Sequence, residues 1–292
     1  MATPEIYVQI PAYRDGELAS TLLDLYAQAN RPTRLRTRVI WQHARGEQLP
    51  ERVRRLPGVE IEDLPAEQSH GCGWARRRAR AGWAGEPYTL LLDSHHRFVD
   101  GWDDLVLEMY AALEAAGHAK PLLTAYLPAY DPASEPWGRR EVPYRMYPLG
   151  REEGVLTKLT SRPIPWWEQL NIPVPADFLS YHFLFAAGTF NVQVPIDPEP
   201  YFFGDEIVLS LRAYQLGYDF FHPHRVVGWH AYSRTARVPH WDDHPDWGER
   251  HRAALRWMRE LAAGRHPLPN EVRTISDYEQ HIMTRIVRSA AA

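Results

Sequence analysis

The chain has 292 residues, enough for one large α/β domain or two small ones around a sizeable core. Hydrophobic residues make up 45% of it and charged residues 24%, and the formal net charge is −4, the balance of an ordinary water-facing globular protein. These totals argue against a nucleic-acid footprint, because the one Arg-rich run, Arg76–Arg80, is too short to cover a duplex. They also argue against a membrane partner, since no run of roughly eighteen apolar residues is present.

Cys72 is the single cysteine, so no intrachain disulfide can form, which fits a reducing compartment. The opening MATPEIYVQI lacks a basic segment followed by an apolar run, and the expectation is a cytoplasmic protein. The 25 prolines crowd between Pro121 and Pro200, which predicts a loop-rich middle. The 11 tryptophans suit a core, although aromatic rings also line carbohydrate sites.

Glu5–Ile10 reads as a strand running into Pro11. Leu18, Leu22, Leu25 and Tyr26 recur at helical spacing within Glu17–Gln28. Arg36–Trp41 and Val59–Leu64 read as strands, and Gly73–Trp83 as a helix with a basic face. Tyr88–Leu92 is a continuous apolar strand ending in Asp93, Gly101–Ala116 an amphipathic helix stopped by Gly117, and Pro121–Ala125 a further strand. Strands alternating with helices predict an α/β fold with a Rossmann-like, mostly parallel sheet. Such sheets bind ligands beyond the carboxyl ends of their strands.

After residue 125 the alternation breaks. Pro128–Pro175 is expected to wrap the front of the site as a loop-rich half. Tyr181–Ala187 reads as a strand, Phe203–Leu216 as a helix opened by acids, and Asp219–Phe221 and Arg225–Val227 as short strands leading to Gly228-Trp229-His230. Trp247–Ala263 and Ile275–Arg288 read as helices. The simplest organisation is one catalytic domain over 1–265, with a nucleotide-binding half (1–125) and an acceptor-side half (126–265), and a helical tail over 266–292 packed on it.

Four segments carry candidate chemistry. In LLLDSHHRFVDGWDD the strand delivers Asp93 and His95 two residues apart, so both can face one cation, with Ser94 between them. A carboxylate with an imidazole suits Mn²⁺ or a similar divalent ion, and His230 from VVGWHAYSR can add a third ligand. The competing reading makes Asp93 a turn cap and His230 a structural histidine, while His96 points the other way. Arg234 can meet a diphosphate, because its fork matches phosphate oxygens. Asp205 and Glu206 open a helix, where they either oppose the helix dipole or face a sugar or acceptor. Pro11, Ala12, Tyr13, Arg14 and Asp15 follow the first strand and can cup a base and ribose. That segment lacks the G-x-G-x-x-G pattern, and Asp15 can alternatively cap the next helix.

Taken in order, these pieces resemble the UDP-GlcNAc:polypeptide N-acetylglucosaminyltransferase family of the Skp1 hydroxyproline type, and more distantly the polypeptide GalNAc-transferases. The resemblance spans roughly residues 5–235 and is most specific in Asp-Ser-His-x-Arg-Phe, with weaker matches at Gly71–Arg76 and Gly204-Asp205-Glu206. It implies a GT-A fold and a transferase that moves a sugar, GlcNAc favoured, from a UDP-sugar to a hydroxyl with retention of configuration. It further implies that Mn²⁺ or Mg²⁺ sits on Asp93, His95 and His230, that Arg76 touches the nucleotide, and that Asp205 or Glu206 faces the reacting sugar. No anchor or lectin domain like those of the eukaryotic GalNAc-transferases is expected, and the compact, Arg-rich and Pro-rich composition suggests a bacterial member. The acceptor is then a protein, a peptide or a small molecule. A metal-dependent phosphoester hydrolase and a non-enzymatic carbohydrate-binding module are the alternatives.

Overall fold

A computed structural model of the chain describes residues 3–233, 235 and 237–288. The first strand, β1 (Ile6–Tyr13), is followed by α1 (Leu18–Ala27), β2 (Leu35–His43), a single turn α2 (Glu51–Arg54) and β3 (Val59–Pro65). Then come α3 (Cys72–Arg80), β4 (Tyr88–Leu92), the short β5 (His96–Phe98), α4 (Trp102–Ala115) and β6 (Pro121–Thr124). Every element expected in this half forms, with ends shifted by a few residues, as helix and strand boundaries commonly are.

The proline-rich stretch holds one regular hairpin that its composition hides, β7 (Tyr144–Glu152) with β8 (Val155–Pro163), and a two-residue strand β9 (Val174–Pro175). Next are β10 (Phe183–Ala187), α5 (Phe190–Gln193), α6 (Asp205–Gln215), β11 (Asp219–His222) and β12 (Gly228–His230). Three helices close the chain, α7 (His240–Asp243), α8 (Trp247–Ala262) and α9 (Ile275–His281). Two expectations need correction. Arg225–Val227 is not a strand; the pairing starts at Gly228, antiparallel to β5. The last helix stops at His281 rather than Arg288, and Val287 instead bridges to Val155 of the hairpin.

Eight strands form the main sheet in the order β3-β2-β1-β4-β10-β6-β11-β9. The pairs β3–β2, β2–β1, β1–β4 and β6–β11 are parallel, and β10 runs antiparallel between β4 and β6. Strand β1, reading IYVQIPAY, is buried at all but its last position, as expected for a strand covered on both faces. Side chains alternate between two cores. Leu90 and Leu92 join Ile6, Val8, Leu22 and Trp102 on one face, and Leu91 joins Leu184, Ile207, Leu211, Met258 and Tyr278 on the other. Each fully buried side chain of this kind contributes about 1.5–3 kcal/mol. Among the described residues no helix is long and apolar enough to cross a membrane.

Candidate functional site

Pairing of Gln9 with Leu91 in the parallel β1–β4 ladder opens both carboxyl ends on one edge of the sheet. Strand β10 runs the other way and pairs Phe183 with Leu92, so His182 enters that edge opposite Asp93. The β5–β12 ribbon pairs His230 with His96, and Ala231 N–H donates to the His95 carbonyl at 3.0 Å. These registers collect Asp93, His95 and His230, which offer one ligand atom each within 4.8 Å of one another.

His230 is 2% exposed and neither of its ring nitrogens has a hydrogen-bond partner among the described residues; Nε2 lies 3.4 Å from Asp93 Oδ2. A buried, unpaired imidazole is costly, and a bound cation would satisfy it. Burial first, then His182 and His95, hold this ring well below the usual histidine range, in its neutral, metal-binding form. Burial disfavours the Asp93 carboxylate, but His230, Arg76, His182 and His95 outweigh that and keep it ionised. Arg76 Nη2 donates to Asp93 Oδ1 at 2.7 Å, and its guanidinium lies 3.7 Å over the Tyr181 ring. His96 packs behind the trio, fully buried, with Nδ1 3.1 Å from the Asp93 carbonyl.

Asp15 sits beneath His95. Its Oδ2 accepts from His95 Nδ1 and from the Ser94 hydroxyl, both at 2.6 Å, and its Oδ1 accepts from the Glu17 amide at 2.9 Å. Burial opposes ionisation of Asp15, but these partners lower it below the usual carboxylate range. With Nδ1 donating, Nε2 of His95 is the atom left for a ligand. Arg237 Nη1 lies against both ring nitrogens, nearest Nε2, and its backbone bridges to Asp15 while Val238 N–H donates to the Arg14 carbonyl at 3.2 Å.

The trio forms part of the wall of a cavity of about 400 Å³, which Pro11, Tyr13, Asp15, Arg76 and Ser94 also line. Asp205 and Glu206 line it from the start of α6, and Thr157, Lys158 and Leu159 from β8. Ala12 and Arg14 lie outside the wall: the Ala12 carbonyl accepts from Gln42, and Arg14 is held by Glu47 and Asp243. The Tyr13 hydroxyl donates to Asp243 at 2.5 Å. Glu206 accepts from the Tyr126 hydroxyl at 2.7 Å and the Tyr181 amide at 3.0 Å, whereas Asp205 accepts from the Glu206 amide at 2.8 Å. Burial raises both carboxyls, and Glu206 raises Asp205 further, to about 8, which favours the protonated form of Asp205. Arg234 lies outside the described residues.

Among the wall residues that sequence reasoning missed are Arg237, His182 and Tyr126. Arg237 had only its place after Gly-Trp-His as a signal. His182 had only its polarity at the start of an apolar strand, and Tyr126 nothing. His182 stacks between Tyr126 (4.4 Å between ring centres) and His230 (3.9 Å), and burial pushes it down to about 4.

No curated protein matches the chain. Among solved structures, GalNAc-T7 with UDP, GalNAc and Mn²⁺ is similar with a TM-score of 0.61 at 12% identity, covering 97% of this chain and 55% of that one. The S. aureus TarS 1–349 structure gives 0.54 at 14% identity over 95% of this chain and 69% of that one. TarS 1–349 in complex with UDP-GlcNAc gives 0.56 at 14% identity, with 95% and 70% covered. At these identities the likeness speaks for the fold, which is GT-A. The family description "Glycosyltransferase (GlcNAc)" matches residues 5–57 and 47–288, nearly the whole chain, and the protein belongs to that glycosyltransferase family.

Proposed function

We propose that the protein is a divalent-metal-dependent transferase that moves a sugar, GlcNAc favoured, from a UDP-sugar to a hydroxyl of a protein, peptide or small molecule, with retention at the anomeric carbon. The observation that carries this is the convergence of Asp93, His95 and His230 on the wall of the cavity, with the buried His230 nitrogens unpaired. Two imidazoles and a carboxylate suit a borderline divalent ion such as Mn²⁺ better than Mg²⁺. A bound ion supplies positive charge against the diphosphate as UDP departs.

The protein's own groups do the rest. Asp15 fixes the tautomer and direction of His95, and Arg76 fixes Asp93. Pro11 and Tyr13, at the mouth of β1, offer a surface for base and ribose. Arg237 leaves His95 and pairs with phosphate oxygens, its fork matching their geometry; Arg234 is the second candidate for this role. Both oxygens of Glu206 are engaged, so it braces the wall, and Asp205 is the carboxyl with capacity left for sugar hydroxyls. The acceptor enters along the β7–β8 hairpin, whose Thr157, Lys158 and Leu159 line the cavity.

Thermal unfolding with UDP, ADP and GDP, each with Mn²⁺ and with EDTA, tests the reading. A ligand selective for the native state stabilises it by about 2.7 kcal/mol at a hundredfold over its dissociation constant. A shift with UDP that requires Mn²⁺ is expected, and the absence of a shift with every nucleotide overturns the proposal. Retention is checked on the first acceptor found, by the anomeric coupling in the product's NMR spectrum.

A further inference from the structure

His182 is a polar residue of the cavity wall that the donor-site reading leaves without work. Its side chain is 19% exposed, and the ring is clamped between Tyr126, at 4.4 Å and 23°, and His230, at 3.9 Å and 14°. Tyr232 meets it edge-on at 5.4 Å. Nδ1 has no hydrogen-bond partner among the described residues, and Nε2 lies 3.9 Å from Asp93 Oδ2, beyond hydrogen-bond range. The ring is therefore rigid in orientation, and among the described residues no hydrogen bond fixes its tautomer; Nδ1 is buried, so Nε2 is the atom that can donate to or accept from a ligand. A site in which packing locks a polar edge is pre-organised for a ligand.

Its surroundings say which part of the donor that is. The cations of the site, Arg76 and Arg237, lie with Asp93 and His95 and match the diphosphate. His182 stands between the two groups: one face meets His230, and the other meets Tyr126, whose hydroxyl binds Glu206, next to Asp205. Uncharged polar edges and aromatic faces suit sugar hydroxyls. We propose that His182 hydrogen-bonds the transferred sugar of the UDP-sugar and is a determinant of which sugar the enzyme accepts. This rests on the proposed donor site.

The test compares UDP with UDP-GlcNAc, UDP-GalNAc and UDP-glucose, in calorimetric titrations with Mn²⁺, on the wild type, His182→Phe and His182→Gln. Phenylalanine keeps a flat ring between Tyr126 and His230 but cannot hydrogen-bond; glutamine keeps a donor and an acceptor. The expected result for His182→Phe is unchanged Mn²⁺ and UDP affinity, with roughly tenfold weaker binding of the preferred UDP-sugar, the scale of one lost hydrogen bond. Recovery of part of that loss in His182→Gln is expected, as is a smaller spread among the three sugars in His182→Phe. Equal losses for UDP and UDP-sugar, or weaker Mn²⁺ binding, would make the ring a support for His230 and overturn the proposal. Unchanged UDP-sugar binding overturns it too. Failure of the wild type to bind UDP at all would instead sink the donor-site reading.

Discussion

His95 donates from Nδ1 to Asp15 Oδ2 at 2.6 Å, and Asp15 is 8% exposed. A carboxylate behind a ligand histidine sets which nitrogen faces the metal and raises that nitrogen's basicity. Asp15, two residues past the end of β1, thus reaches the proposed metal centre. Asp15→Asn preserves size but removes the charge, and its amide can present the wrong end to His95. Mn²⁺ affinity is expected to fall by about ten- to hundredfold, the usual cost of losing such a support. Isothermal titration of Mn²⁺ into the EDTA-stripped protein checks this, and an unchanged dissociation constant would show that Asp15 serves the fold alone.

Arg237 lies against His95 Nε2, the nitrogen that Asp15 leaves for the proposed metal. On the proposed reading this guanidinium competes with the ion for His95 and, once displaced, is available to the diphosphate. Arg237→Ala should act with opposite signs on the two ligands. Mn²⁺ alone should bind more tightly, because no cation has to be displaced. UDP with Mn²⁺ should bind roughly tenfold or more weakly, the cost of one charge-assisted hydrogen bond. Parallel weakening of both would contradict the competition.

Local pattern carries the parts of this architecture that can be read without a structure. The apolar run Tyr88–Leu92 announces β4, and the two-residue step from Asp93 to His95 follows from strand geometry. The approach of His230 is different in kind. It depends on the three-residue ribbon of β5 and β12, too short to leave a periodic signal, which is also why the strand was expected at Arg225–Val227. His182 and Arg237 reach the cavity through the antiparallel turn of β10 and the backbone bridge at Asp15, both long-range pairings. The β7–β8 hairpin is hidden by Pro148 and Pro163, residues that ordinarily argue against a strand but are tolerated in a two-stranded ribbon with a register shift.

Gly228 tests whether that ribbon positions the metal centre. A Cβ there would stand 2.5 Å from the Arg97 carbonyl oxygen and 3.4 Å from the Phe98 Cα, both backbone atoms of β5. Relief requires β12 to move away from β5 two residues before His230. Gly228→Ala is expected to cost about 1–3 kcal/mol of stability, as overpacking does, and to weaken Mn²⁺ binding as well. Urea unfolding and Mn²⁺ titration measure the two effects. A destabilised variant with wild-type metal affinity would mean that His230 does not ligate the ion.

The carboxyl pair at the start of α6 makes a pH prediction whose sign is opposite to that of the buried histidines. Asp205 is raised to about 8, by burial and then by Glu206, against an ordinary 3.8 in the unfolded chain. Between those values the folded state binds more protons than the unfolded state, so stability falls as pH rises through that window. Burial instead lowers His96 to about 3 and His182 and His222 to about 4, against an ordinary 6.5. There the unfolded state binds more protons, so stability falls as pH drops below about 6.5. The ligand-free protein should therefore lose Tm on both sides of an intermediate pH. In EDTA, Asp205→Asn should flatten the limb up to about pH 8 and leave the acid limb in place, because an amide has no proton to lose. If the wild type and Asp205→Asn run parallel between pH 5 and 8, Asp205 is ionised in the ligand-free protein and offers sugar hydroxyls an acceptor only.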